Sequence, residues 1–402
     1  MSDFLKFLEK LANYCELKFE AEKFEGNDEF KLASNILNEI NKFLYQKKET
    51  LPSEYISEFH QYWEENHEKI LSPNINPNGE CLAVAKVLES IYKNNTIKVQ
   101  LDTIDLNKEE IANVRFFTAI QDFNIDLQAK VNPFEFYRNN PDCFNPSKIL
   151  QNDLLIDTFL SKIGADAQRD KRKPWMKEAA KLLLDKYDAS AYKINDFHNA
   201  DVLEIKKALV KEQKCGFSEK KTDMLLRDMV DMGVWKYRKN IDKINVMSDK
   251  NTMRVSLRTG ILQFRIPLLA SYLDVYCKQY ELVDRYNQLA WREVWSVWDT
   301  IENNHRPQTP ASIDYFIFRM GKLACKKNTR RCPPSKPYPL KRLESLVLQD
   351  RLIFDKDFYC VFSCICEQNR KILNAPHSIS IEGRTGWKSG KTNEGGGGGI
   401  SS

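Results

Sequence analysis

The sequence of 402 residues has no apolar run approaching the roughly 20 residues that a membrane-spanning helix needs. An integral helical membrane protein is therefore excluded, and no membrane partner is expected. The opening Met1-Ser2-Asp3-Phe4-Leu5-Lys6 lacks the basic start and continuous apolar stretch of a secretory signal, so a cytoplasmic location is expected. Nothing in the chain resembles a phosphate-binding loop, a zinc-protease helix or a nucleophile elbow, and no nucleotide cofactor is expected. Strand signals are few. Ten cysteines without an export signal point to reduced thiols, metal ligands or small buried side chains rather than a disulfide framework.

What is present is 42% apolar, enough for a sizeable core and two or three domains. The net charge of +5 is unevenly spread: residues 1–150 hold 17 basic against 25 acidic side chains, and the remainder 44 against 31. A polyanion-binding module behind an acidic appendage follows from that asymmetry, because neutralising phosphates releases counterions. Candidate phosphate contacts are the runs Arg169 to Lys173 and Lys326 to Arg331, with Arg384, Lys388 and Lys391. Each is equally readable as a solvated face.

Apolar residues at three- and four-residue spacing predict amphipathic helices around Phe4–Leu11, Leu32–Phe43, Tyr55–Trp63 and Cys81–Lys93. A Pro/Asn/Gly cluster at 71–79 interrupts them, another helix begins near Asp105, and 132–146 reads as irregular. A boundary is placed there, giving an acidic helical domain over 1–146, a second helical domain over 147–376 and a flexible, Gly-rich basic tail over 377–402. In the second domain Pro174 suits a first helical position. Asp201 suits an N-cap, and Thr309-Pro310 opens a further helix. Trp291, Trp295 and Trp298 recur at core spacing, and Trp235 and Tyr237 read more simply as core than as stacking platforms for a base.

The chemistry-bearing segment is Gly216-Phe217-Ser218-Glu219-Lys220-Lys221-Thr222, followed by Ser248-Asp249 and then Arg254-Val255. A turn at Gly216-Phe217 and a helix capped by Ser218 would present unpaired backbone N–H groups able to hold a phosphate. Asp249 sits where an N-cap belongs. Farther on, Cys325-x6-Cys332 and Cys360-x5-Cys366 are separated by 27 residues. Four thiolates can hold a [4Fe–4S] cluster or a tetrahedral zinc.

These features resemble the helix-hairpin-helix (HhH-GPD) DNA glycosylases of the endonuclease III superfamily, over roughly residues 165–370. There a hairpin glycine and a Lys-Thr pair precede a catalytic Asp that opens a helix reading Asp-x4-Arg-Val. The Lys-to-Asp interval is nearer that of the archaeal 8-oxoguanine glycosylase class. The resemblance implies an all-α, two-lobed fold with an additional N-terminal helical domain. It implies a monomer acting on double-stranded DNA that contains a damaged or modified base, with residues 1–146 free to bind a protein partner.

In the site so implied, Lys221 attacks the sugar C1′ and Asp249 stabilises the developing positive charge. Lys220 competes for the nucleophile's role. Gly216, Phe217, Ser218, Lys220 and Arg254 are the implied DNA contacts. The family's Cys-x6-Cys-x2-Cys-x5-Cys pattern implies that Cys325, Cys332, Cys360 and Cys366 ligate an iron–sulfur cluster, with zinc as second choice and Cys364 as a substitute ligand. Two other readings stay open: a DNA-binding scaffold without activity, and a glycosylase using an Asp-activated water.

Overall fold

The computed structural model describes residues 3–14, 16–17, 32, 35–36, 39, 65–69, 71–93, 105–122, 131–264, 273–325 and 360–369. The helix read at 55–63, the basic run 326–331, Cys332 and the tail 377–402 lie outside them. The described chain is all-α. Its helices are α1 (Asp3–Tyr14), α2 (Leu82–Tyr92), α3 (Lys108–Gln121), α4 (Pro133–Asn139), α5 (Pro146–Gln151), α6 (Asp153–Lys162) and α7 (Arg169–Lys186). They continue as α8 (Ile194–Phe197), α9 (Val202–Lys211), α10 (Glu219–Asp231), α11 (Lys250–Thr259), α12 (Leu273–Trp298), α13 (Asp314–Leu323) and α14 (Ser363–Asn369). Among the described residues the only β pairings are isolated bridges, Asn74 with Gln263 and Asp201 with Lys239. No helix of the described residues is long and apolar enough to cross a membrane.

Local chemistry sets most helix starts. Asn107 accepts from the amides of Glu109 and Glu110 at 2.9 and 3.0 Å, while Glu110 accepts from the Asn107 amide at 2.8 Å. Such a reciprocal cap contributes about 0.5–2 kcal/mol. Asp201 caps α9 as read, accepting from the Leu203 amide at 2.9 Å. Thr309 caps a short 3₁₀ turn, Pro310–Ile313, that runs into α13. Two expectations are corrected. Helix α7 starts at Arg169, so Pro174 lies inside it rather than at its first position. The stretch 132–146 is not irregular: Asn132 and Asn145 cap the short helices α4 and α5.

Burial divides the molecule into two hydrophobic cores. The first gathers α3 to α10, around Phe116, Phe117, Phe144, Phe159 and Trp235. The second gathers α2 with α11 to α14, around Trp291, Trp298, Phe316 and Phe362. Across the boundary read at residue 146, α3 and α4 share a core with α5 to α10, and α2 shares one with the distant C-terminal helices. The indole of Trp298 donates to Glu89 at 2.7 Å and ties α12 to α2. The tryptophan stripe is core, as its spacing required: Trp291 and Trp298 are fully buried.

A buried polar network joins the cores. On α10, Arg227 donates to Asp228 at 2.8 Å and, across the joint, to Asp314 of α13 at 3.0 Å. Arg115 of α3 and the Tyr315 hydroxyl also donate to Asp228. The Arg227 guanidinium lies 3.8 Å over the Tyr315 ring. Burial alone would push the Asp228 carboxyl up, but Arg115 and Arg227 hold it down at about 2. One ionised carboxylate thus satisfies two buried arginines.

Candidate functional site

The hairpin puts its two lysines to different uses. Gly216 has φ +74°, and a Cβ there would lie 2.6 Å from the Trp175 ring, so the turn requires glycine. Ser218 then caps α10, its hydroxyl accepting from the Lys221 amide. Successive helical residues point about 100° apart, and that rotation separates Lys220 from Lys221. The Lys221 amine turns into the first core. It donates to the carbonyls of Ile120 and Gly216 at 2.6 and 3.0 Å and sits 4.6 Å over Trp175. Burial, aided by Arg172, lowers it to about 8. Lys220 is exposed, and its amine donates to the Ser248 carbonyl at 3.2 Å, beside Asp249.

Of the two lysines, Lys220 bonds the carbonyl of the residue before the aspartate, and Lys221 bonds carbonyls of α3 and of the hairpin. Lys221 has the depressed pKa a nucleophilic amine needs, but its bonds hold it to the far end of α3 and the hairpin.

Asp249 opens α11. Its Oδ1 accepts from the amides of Asn251 and Thr252 at 2.8 and 2.9 Å, its Oδ2 accepts from the Asn251 side chain at 3.0 Å, and its own amide donates to Thr252 Oγ1 at 2.9 Å. The carboxylate is fixed and half-buried. Helix α12 supplies the support. Asn287 donates to the Ser248 hydroxyl at 2.8 Å and to Thr252 at 3.3 Å, and Asp284 shares the Ser248 side chain. Burial raises the Asp284 carboxyl, with the Ser248 bond and the nearby Lys220 acting against it. From below, α13 packs so closely that a Cβ on Gly321 would stand 2.3 Å from the Asn251 carbonyl. Asp284, Asn287 and Asp314 were missed in the sequence. The only signal for Asp284 and Asn287 is a polar residue beside the α12 stripe of Val283, Ala290 and Trp291; Asp314 opens α13.

Several residues implied as DNA contacts also have neighbours within the protein. Phe217 is buried against Phe116 at 5.1 Å, so only its backbone could meet a phosphate. Arg254 is 7% exposed and donates to the Gly321 carbonyl at 3.1 Å, bracing α11 against α13. Gly216 is shielded by Trp175. In the first basic run Arg172 is fully buried and donates to the Gln121 and Ala167 carbonyls, while Lys173 and Arg169 pair with Asp157. Ser218 and Lys220 keep exposed positions at the start of α10.

Three of the four implied metal ligands are described. Cys325, Cys360 and Cys366 are all buried, Cys360 and Cys366 within the second core. Arg258, in the last turn of α11, donates to the Cys325 carbonyl at 2.6 Å and to its sulfur at 2.8 Å. Its Nη2 is buried without an acceptor among the described residues. Helix α14 packs against α11 as well. No group of three or more metal-ligating side chains occurs among the described residues, which do not include Cys332. Cys364 is exposed.

Neither protein-family models nor curated proteins gave a match to this chain. The reading rests on the site itself: an exposed amine, a fixed carboxylate and a raised second carboxyl at the joint of two helical cores. Such a set can attack an electrophilic carbon and stabilise positive charge developing on it.

Proposed function

We propose that the chain is a DNA glycosylase of the helix-hairpin-helix type, excising a damaged or modified base, with Lys220 as the nucleophile. The observation that carries this reading is the contact of the Lys220 amine with the Ser248 carbonyl, which sets the hairpin lysine beside the aspartate that opens α11. Extrusion of the nucleotide would bring its C1′ to Lys220. The amine attacks C1′, the base departs with the bonding electrons and takes up the proton that the amine sheds, and Asp249 stabilises the positive charge on the sugar. Cleavage of the C1′–O4′ bond, with a proton passing to O4′, then gives an imine that permits β-elimination at the 3′ phosphate. The exposed start of α10 at Ser218 supplies backbone N–H groups for a phosphate.

Borohydride trapping on duplexes carrying oxidised, deaminated, alkylated and bulky modified bases tests the reading. A covalent protein–DNA adduct on one of them is expected. Base release without an adduct would favour water activated by Asp249, and binding with neither would favour a scaffold.

An iron–sulfur cluster held by Cys325, Cys332, Cys360 and Cys366 forms part of the proposal. The fit comes from Arg258, whose buried guanidinium already donates to the Cys325 sulfur and has a further N–H without an acceptor among the described residues, as suits a negatively charged sulfur site. When bound, the cluster would tie the segment after α13 to α14. Anaerobically purified protein is expected to contain iron and acid-labile sulfide, both lost in Cys325→Ser. Zinc in their place would identify the second choice, and neither metal would remove the cluster from the proposal.

A further inference from the structure

Helix α12 turns Val283, Ala290 and Trp291 into the second core, and Asn287, on the same stretch of helix, is fully buried as well. Its side-chain amide donates to the Ser248 hydroxyl at 2.8 Å and to Thr252 Oγ1 at 3.3 Å, while its Oδ1 is buried without a hydrogen-bond partner among the described residues. Burying an unpaired carbonyl oxygen is unfavourable, and a leucine of similar size would avoid it. Stability alone gives no reason for an amide at this position. Its two bonds do.

Those bonds have a fixed direction. Ser248 directs its own hydrogen to Asp284, and Thr252 directs its own to the carbonyls of Met247 and Asp249, at 3.3 and 3.1 Å. Neither hydroxyl has a hydrogen left for Asn287, so Asn287 is the donor to both. The two acceptors stand on either side of Asp249 in the chain. Ser248 precedes it and offers its backbone carbonyl to the Lys220 amine at 3.2 Å. Thr252 follows; its hydroxyl accepts from the Asp249 amide at 2.9 Å, and its own amide donates to Asp249 Oδ1 at 2.9 Å. One buried side chain thus holds both ends of the turn 248–252, from 39 and 35 residues farther along the chain.

We propose that Asn287 is a positioning residue: by bonding Ser248 and Thr252 at once, it orders the turn that presents the Asp249 carboxylate and the carbonyl to which Lys220 bonds. Without the amide the two hydroxyls keep their other bonds but lose their tie to α12, and the turn is free to shift against that helix. The role rests on the assignment of Lys220 and Asp249 above and goes beyond it in naming the residue that sets their geometry.

Asn287→Leu keeps the volume, removes both donors and removes the unpaired oxygen, so its melting temperature is expected to equal or exceed that of the wild type. Hydrogen exchange of the Asp249, Asn251 and Thr252 amides is expected to quicken by about tenfold, the loss of one hydrogen bond's worth of local stability, with the rest of α11 unchanged. The second readout uses a duplex carrying an abasic site. The Lys220 amine condenses with the sugar aldehyde to an imine with loss of water, and borohydride reduces the imine to a secondary amine. The maximal trapping rate is expected to fall by roughly 10- to 100-fold, as a displacement on the order of 1 Å costs in a reaction that depends on orientation. Kd for the duplex is expected to stay at the wild-type value. A general loss of structure would move stability, Kd and rate together, so a lowered rate by itself marks positioning.

Unchanged exchange in the turn overturns the proposal, and so does a trapping rate equal to that of the wild type. Should Asn287→Leu fail to fold, Ser248→Ala removes the nearer acceptor and is read by the same two measurements with the same outcomes. If the wild type itself forms no adduct, the assignment of Lys220 as nucleophile falls. Quickened exchange confined to the turn then still upholds the hold of Asn287 on it, and unchanged exchange overturns that too.

Discussion

Lys220→Gln is expected to reduce borohydride-trapped adduct to background, while Lys221→Met leaves it measurable and lowers stability. The two neighbours differ in what their amines touch. Lys220 reaches the Ser248 carbonyl at 3.2 Å from an exposed position. Removing it takes away the only bond-forming group proposed for C1′, so loss should be complete rather than partial. Lys221 satisfies the Ile120 and Gly216 carbonyls at 2.6 and 3.0 Å. A methionine there would leave both without that donor, at a cost of roughly 1–3 kcal/mol for a buried unsatisfied group. Chemical denaturation beside the trapping assay separates the outcomes. Adduct lost in Lys221→Met and kept in Lys220→Gln would reverse the assignment.

Asp228→Ala is expected to be among the most destabilising single changes in the chain. It would leave the guanidinia of Arg115 and Arg227 buried without their shared acceptor, and breaking a buried pair in this way costs about 3–5 kcal/mol. Because the network joins α3, α10 and α13, the loss should appear as separate melting of two units rather than one cooperative transition. The pH dependence has a definite sign. Asp228 is held at about 2 against an ordinary 3.8, so it contributes stability that is present above pH 4 and lost as pH falls toward 2. Calorimetry of the wild type and variant across that window checks it: the difference between them should shrink with acidification. A variant that melts like the wild type at neutral pH would show that the joint is held by other contacts.

Local signals in the sequence translated well. Ser218, Asp201 and Asp249 each cap the helix that follows, because a cap depends on residues two or three positions away. The tryptophan stripe of α12 is core for the same reason: helical periodicity is a local property. What was not legible depends on contacts between distant segments. Nothing in Leu82–Tyr92 specifies that α2 packs with α12, some two hundred residues later, instead of with the adjacent α3. Pro174 reads as a helix start only until Arg172, buried and bonded to the Gln121 carbonyl, extends the helix to its N-terminal side.

The choice between the two lysines was likewise undecidable from composition. Each is a lysine in the first turn of α10, and only the packing of Trp175 and α3 shows which side faces inward. Asp284 and Asn287 become notable only when α10 and α12 are known to meet at Ser248.

The placement of these adjacent lysines also limits how the gene can change. A single codon lost between Gly216 and Lys220 would turn the helix back by about 100° and carry the inward amine to the exposed position that Lys220 holds. One codon gained would carry the outer amine to the inward position and force Lys221 into the buried place of Thr222. Length variation at this turn should therefore be tolerated only in compensated pairs, whereas conservative exchanges at exposed Glu219, which leave the count unchanged, should pass freely.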